Sequence, residues 1–358
     1  MRFIFKTRYQ QDIGLFKHNG QKFWFGLLIV VVLAAPLALG NFYLGEISLV
    51  MIYAIAGIGL MLLVGYTGLV SLGHAAFLAI GAYTHAILIA HGVPLPFSLI
   101  AASLFSAFIG AIVGLPAMRM TGIYLAIATL AFAFIVEHSI GHMTSLTGGF
   151  RGMAVARPEV FGIDLGSTIP FYFVTLFVLF ACILIALNIL RSPVGRAMIG
   201  IRDSEISAQS MGIDLAKTKS LAFAISAGFT GLAGGLFAHK LGYLTPDAFT
   251  LLLSIQLLLM VVVGGLGSLH GVIFGAIFIG ILPQAIAMLR DSLPSAVAQI
   301  PGIEPGLFGL ILVLFLIFEP LGIYGRWRKI RHFFEEFPLY RKATHKRQKS
   351  YLRTERVR

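Results

Sequence analysis

Apolar stretches approaching 20 residues recur along this chain from end to end. Each is long enough to cross a hydrocarbon core of about 30 Å at about 1.5 Å per helical residue. The composition agrees: 58% of the 358 residues are hydrophobic and only 12% are charged, against roughly a quarter charged in a soluble domain. The reading is an all-α polytopic membrane protein with one membrane domain and no room for a second folded domain.

Ten spans can be drawn, at about 23–39, 47–65, 73–91, 97–117, 122–140, 169–190, 220–239, 250–269, 271–288 and 307–323. With a cytoplasmic N-terminus, an even count returns the C-terminus to the cytoplasm. Segments 1–22, 118–121, 191–219 and 324–358 then fall inside and hold 23 of the 27 Lys and Arg residues. That asymmetry predicts N-in and C-in. It divides the chain into a cytoplasmic N-terminal segment 1–22, a transmembrane domain 23–323 and a basic cytoplasmic tail 324–358. The run Phe23–Leu39 reads as a retained first span, not a cleaved signal. Spans 3 and 9 begin in Gly-rich polar sequence and are candidates for broken or re-entrant segments. The net charge of +12 is explained by these flanks and needs no nucleic-acid partner. The tail reads as a solvated topogenic segment, with a surface of anionic membrane lipid as the alternative.

Glycine sits inside the spans, with GxxxG spacing at Gly110/Gly114, Gly231/Gly235, Gly267/Gly271 and Gly271/Gly275. Lipid gives helices no hydrophobic reason to associate, so close backbone contact must supply it. Gly231, Gly235, Gly271 and Gly275 are therefore candidate packing positions. An internal echo links GLVSLGHAAFLAI (68–80) with GLGSLHGVIFGAI (265–277), which match at seven of thirteen positions. It is either a transporter-type repeat or chance similarity in low-complexity sequence.

Little here suggests catalysis. There is no Walker A sequence, and the one cysteine, Cys182, lies in an apolar run. His138 and His142 stand at i, i+4 beside Glu137, but a metal site normally needs three or four ligands, so this reads as a span end and no metal is expected. Polar groups at membrane depth face the bundle interior or an aqueous path. Thr67, Ser71, His74 and Thr129 are the candidates for lining such a path, with helix-to-helix hydrogen bonding as the alternative.

Between two apolar runs lies a polar island, Arg191 to Lys219, longer than a connector needs to be. Ser192-Pro193 has the form of an N-cap followed by proline at the first helical position. Asp203 or Ser204 can cap a second short helix that Gly212 would end, and Asp214 a third. Met198, Ile201, Ala208 and Met211 form one broken apolar stripe. Short helices on a cytoplasmic face suit docking in a partner's groove.

GYTGLVSLGHAAFLAIGAY (65–83), TGIYLAIATLAF (121–132), TSLTGG (144–149), the segment 194–238 and VVVGGLGSLHGVIFGA (261–276) closely resemble LivM-type permeases. These are inner-membrane subunits of ABC importers for branched-chain amino acids. The resemblance runs from about residue 45 to 325, with the motifs in the family's order. It implies the ABC importer permease fold, no catalysis by this chain, and a multi-pass location in the bacterial cytoplasmic membrane. It implies three kinds of partner: a LivH-type second permease subunit, two ABC ATPase subunits that bind ATP and Mg, and a periplasmic substrate-binding protein. No cofactor is expected on this chain. The polar island resembles the loop that engages the ATPases, which makes Gly195, Arg196, Arg202, Glu205, Ala208 and Gly212 the coupling candidates. Where many relatives continue TSLTGG with Pro or Ser, a further residue and Gly, this chain has Phe150-Arg151-Gly152. Import of urea or short amides by the same architecture is the close alternative. An ATP-independent secondary transporter or channel is the alternative of another class.

Overall fold

A computed structural model of the chain describes residues 19–116, 120, 122–157, 159–160, 163–164, 166–291 and 302–335. The N-terminal segment up to residue 18, Arg119 and the tail from residue 336 lie outside the described residues. The chain divides into two units, one of Val31–Tyr324 and one of Met1–Val30 with Gly325–Arg358.

The helices in chain order are α1 (Asn19–Ala38), α2 (Asn41–Leu60), α3 (His74–Ala90), α4 (Leu95–Gly114), α5 (Ile123–His142), the four-residue α6 (Thr144–Thr147), α7 (Thr168–Arg191), α8 (Pro193–Asp203), α9 (Glu205–Ser210), α10 (Leu215–Leu241), α11 (Leu251–Gly264), α12 (Leu269–Asp291), α13 (Ile303–Phe318) and α14 (Gly322–Glu335). Among the described residues, seven helical segments are long and apolar enough to cross a membrane: Asn41–Gly65, Leu95–Gly114, Ile123–His142, Thr168–Arg191, Leu215–Leu241, Pro246–Gly264 and Leu269–Arg290. The pair Pro305–Phe318 and Gly322–Arg331 makes an eighth if it is one span. The all-α class stands, but the count of ten spans is corrected. The apolar part of α1, Lys22–Ala38, and α3, His74–Ala90, have 17 residues each, about 25 Å at the helical rise, short of a ~30 Å core. Hydropathy alone does not register where a helix starts.

The centre of the larger unit is α10, the longest helix, packed against α4, α3 and α2. Its residues Phe223, Ala227, Ala233 and Leu236 are buried. Glycine sets the separation. A Cβ placed on Gly81 of α3 would strike the backbone of Gly231, and one on Gly231 would strike Ser106 of α4. Gly114 would meet the Cα of Ser220 at 2.7 Å, and Gly235 the far end of Leu99 at 2.6 Å. A second close pair joins α11 to α12. A Cβ on Gly271 would lie 2.7 Å from the carbonyl oxygens of Gly264 and Gly265, and one on Gly275 would strike the carbonyl of Met260. Hydrogen in place of a side chain lets backbones meet, which is how helices cohere in lipid.

Two glycine-rich breaks separate neighbouring helices. After Leu60, α2 widens into a π-helical turn, Met61–Gly65. The chain then unwinds and restarts as α3 at His74. On the other side, α11 stops at Gly264 and α12 starts at Leu269. Gly68 (φ 77°) and Gly265 (φ 113°) open the two breaks in backbone conformations that side chains disfavour. These are the first residues of the two echoed segments, so the sequence similarity falls on one repeated device, a helix, a glycine break and a second helix.

The strand Met153–Ala154 pairs antiparallel with Tyr243–Leu244. The loops after α5 and α10 therefore share one face, as the charge-based topology requires of two outer loops. Reporter fusions within 191–219 and after Arg358 should read cytoplasmic, and one within 150–165 periplasmic; a periplasmic reading inside 191–219 would invert the arrangement. The glycine contacts give a graded expectation. Gly275→Ala and Gly231→Leu meet backbone or a buried serine and should each cost about 1–3 kcal/mol as overpacking. Gly235→Ala has its tightest contact with a movable leucine tip, with His85 Cγ and Cβ at 3.2 and 3.3 Å beyond it, and should cost less. Accumulation of the three variants in membranes checks the order.

Candidate functional site

The polar island folds as three capped helices. Ser192 caps α8, its hydroxyl accepting from the Gly195 amide at 3.4 Å. Ser204 caps α9 and accepts from the Ser207 amide at 3.3 Å. Gly212, at φ 85°, turns the chain out of α9, and Asp214 caps α10 by accepting from the Lys217 amide at 3.1 Å. That hydrogen bond, with the Lys217 side chain, holds the Asp214 carboxyl below its ordinary pKa.

The coupling candidates occupy different places in this structure. Gly195 is buried with no room for a Cβ, which would meet Leu190 Cα at 2.5 Å. Ala208 and Ile201 are buried, and Met198 is buried in one cluster with Ala222 and Phe223 of α10. Arg196 is exposed and donates to the Arg191 carbonyl at 2.9 Å. Met211 does not continue the buried stripe: it is 82% exposed, and Ile206 is 83% exposed. Two large apolar side chains thus face outward at the short helices, and the sequence reading missed Ile206. A lone isoleucine in a polar run carries no periodic signal.

Arg202 and Glu205 turn inward. Glu205 forms an ion pair with Lys219 of α10 at 2.8 Å. Lys219 is 0% exposed, so this pair ties α9 to the central helix. Removing the carboxylate would leave a buried ammonium unpaired, at a cost of about 3–5 kcal/mol. Arg202 donates from Nη1 to the carbonyl of Gly65 at 3.0 Å, and from Nε and Nη2 to Asp203 at 3.1 and 3.0 Å.

The path candidates gather at the first break. His74 hydrogen-bonds Ser71 through Nδ1 at 3.0 Å and Ser226 of α10 through Nε2 at 2.8 Å. Thr129 of α5 accepts from the Leu72 amide at 3.0 Å, and Ser254 of α11 accepts from the Ala75 amide at 2.9 Å. Thr67 stands apart and donates to the Leu62 carbonyl at 2.9 Å. All of these side chains are buried. The network satisfies amides that an interrupted helix leaves without intrahelical partners, so in this conformation the cluster holds the break closed. Ser226 and Ser254 were missed by sequence because single hydroxyls in apolar spans look incidental.

Near the other end of α3, His85 and His239 of α10 meet Nε2 to Nε2 at 2.7 Å. His142 Nδ1 donates to the His138 carbonyl at 3.0 Å, back-bonding within α5. Among the described residues no group of three or more His, Cys, Asp or Glu side chains is arranged to hold a metal ion.

Comparison with known proteins adds the family. The profile of the family described as "Branched-chain amino acid transport system / permease component" matches residues 42–318. The chain is 34% identical over 329 positions to the high-affinity branched-chain amino acid transport system permease protein LivM of Escherichia coli, covering 85% of this chain and 75% of that one. It is 27% identical over 234 positions to a probable LivM of Methanocaldococcus jannaschii, covering 63% and 67%. It is 24% identical over 301 positions to LivH of Escherichia coli, covering 76% and 91%. No solved structure matches. This chain, a multi-pass helical membrane protein, belongs to the permease components of branched-chain amino acid transport systems.

Proposed function

We propose that this chain is a LivM-type permease subunit of an ATP-driven importer for leucine, isoleucine, valine or a closely related amino acid. It sits in the cytoplasmic membrane beside a LivH-type subunit. Two ABC ATPases, which carry the ATP and Mg, dock on its cytoplasmic helices, and a periplasmic binding protein delivers substrate to its outer face. The chain itself catalyses no reaction. Hydrolysis on the partners moves α8 and α9 and alternates access through the bundle. The relatives named for branched-chain amino acids favour that substrate class over urea or short amides. An ion-coupled transporter would want carboxylates at membrane depth, whereas Glu46 and Glu137 lie near the ends of their spans.

The observation that carries the reading is the α8–α9 pair itself. It has a buried inner side that joins α10 and an outer side that presents Ile206 and Met211. Exposed apolar anchors beside charged groups are what a helix offers to a hydrophobic groove.

Cells that lose this gene should lose uptake of labelled branched-chain amino acids and regain it on complementation, with urea uptake unchanged. Uptake insensitive to loss of the ATPases would contradict the reading. A double change, Ile206→Asp with Met211→Asp, should leave the permease in the membrane because both side chains are exposed. It should lower co-purification of the ATPases by roughly tenfold or more, as expected for apolar interface anchors; undiminished co-purification would place the docking surface elsewhere.

A further inference from the structure

Arg202 stands where the two glycine breaks meet. Its Nη1 donates to the carbonyl of Gly65, the last residue of the π-helical turn, at 3.0 Å. A Cβ on Gly68 would lie 3.3 Å from Arg202 Cγ, and one on Gly267 would lie 3.3 Å from Nη1. The two breaks also touch each other directly. A Cβ on Gly65 would lie 2.8 Å from the amide nitrogen of Gly267, and that amide is 3.2 Å from Met61 Sδ. Gly68 and Gly267 hold φ of 77° and 79°, so glycine-favoured turns bring one break past the aliphatic stem of Arg202 and the other past its guanidinium. Asp203 accepts from Nε and Nη2 and fixes the plane of the fork.

One cation on the cytoplasmic helices thus touches both copies of the echoed device. A guanidinium suits this place because its rigid plane offers donors in several directions at once, which an ammonium on a flexible stem does not. The Glu205–Lys219 pair supplies a second attachment, from α9 to α10. The arrangement leaves Ile206 and Met211 outward, so the outer side can receive a partner while Arg202 faces the spans.

We propose that Arg202 is the transmission joint of this permease, a positioning residue through which displacement of α8 and α9 reaches both glycine breaks together. The proposal rests on the reading that ATPases dock on α8 and α9. Its consequence is that substrate movement and ATP hydrolysis separate when the joint is cut, without loss of the docked partners.

The test compares the complete transporter with its Arg202→Gln and Arg202→Lys forms, reconstituted with the ATPases and binding protein. Three quantities are read: ATPase co-purification, ATP hydrolysis with and without loaded binding protein, and amino-acid uptake per ATP hydrolysed. Arg202→Gln should keep its ATPases but lose roughly tenfold in uptake per ATP and most of the stimulation by binding protein, the size expected for one charge-assisted hydrogen bond. Arg202→Lys, which keeps the charge but not the plane, should fall between it and the parent. If the glutamine form fails to accumulate, the lysine form decides alone, and parental coupling in it overturns the proposal. Loss of the ATPases from Arg202→Gln would also overturn it, because Arg202 would then be a docking contact. Failure of the parental permease to hold ATPases at all would instead overturn the functional reading beneath it.

Discussion

A helix in lipid has no hydrophobic incentive to leave its neighbours in lipid, so this bundle depends on how closely its backbones can approach. The close approaches are concentrated on α10. Gly81 and Gly234 bring α3 to it, Gly110 and Gly114 bring α4, and Gly59 brings α2. Interfaces packed at backbone distance tolerate little change in separation, because dense packing resists gradual deformation. The long helix and its neighbours therefore form a stiff body, and movement has to be accommodated at places where helices are broken.

The two breaks are such places, and their polar contents follow from that. An interrupted helix leaves amides and carbonyls without partners inside an apolar bundle, where each unsatisfied group is costly. The first break is closed by Ser71, Thr129 and Ser254, which accept from its loose amides, and by His74, which links Ser71 to Ser226 on α10. The second break uses Ser268, the echo of Ser71, to accept from the Gly271 amide at 3.3 Å. Hydrogen bonds of this kind are individually worth about 1 kcal/mol net. That is enough to hold a conformation and little enough to exchange during a transport cycle. Arg202 and the Glu205–Lys219 pair then join α8 and α9 to the breaks and to α10.

Much of this was legible in the sequence because it is local. Ser192, Ser204 and Asp214 cap the helices that their positions predict, and Gly212 ends one where expected, since caps act over three or four residues. The echoed glycine segments marked both breaks. What the sequence hid is long-range. Arg202 meets Gly65 across 137 positions, and no spacing rule connects them. Glu205 and Lys219 are 14 apart, joined only because the turn at Gly212 folds α9 back toward α10. Met211 looked like part of a buried stripe, yet the same turn leaves it facing outward. The span count failed at 23–39 and 73–91, where the apolar helices are only 17 residues long, because hydropathy measures composition and not helix length.

The central claim is that α9 and the two breaks move as one body. Spin labels at Gln209 on α9 and Leu266 in the second break, both exposed positions, measure it by their separation in a transporter that retains uptake. The account predicts the same distance distribution in nucleotide-free and ATP-trapped states. A distribution that shifts between the two states would show the cytoplasmic helices sliding over the breaks, and would contradict it.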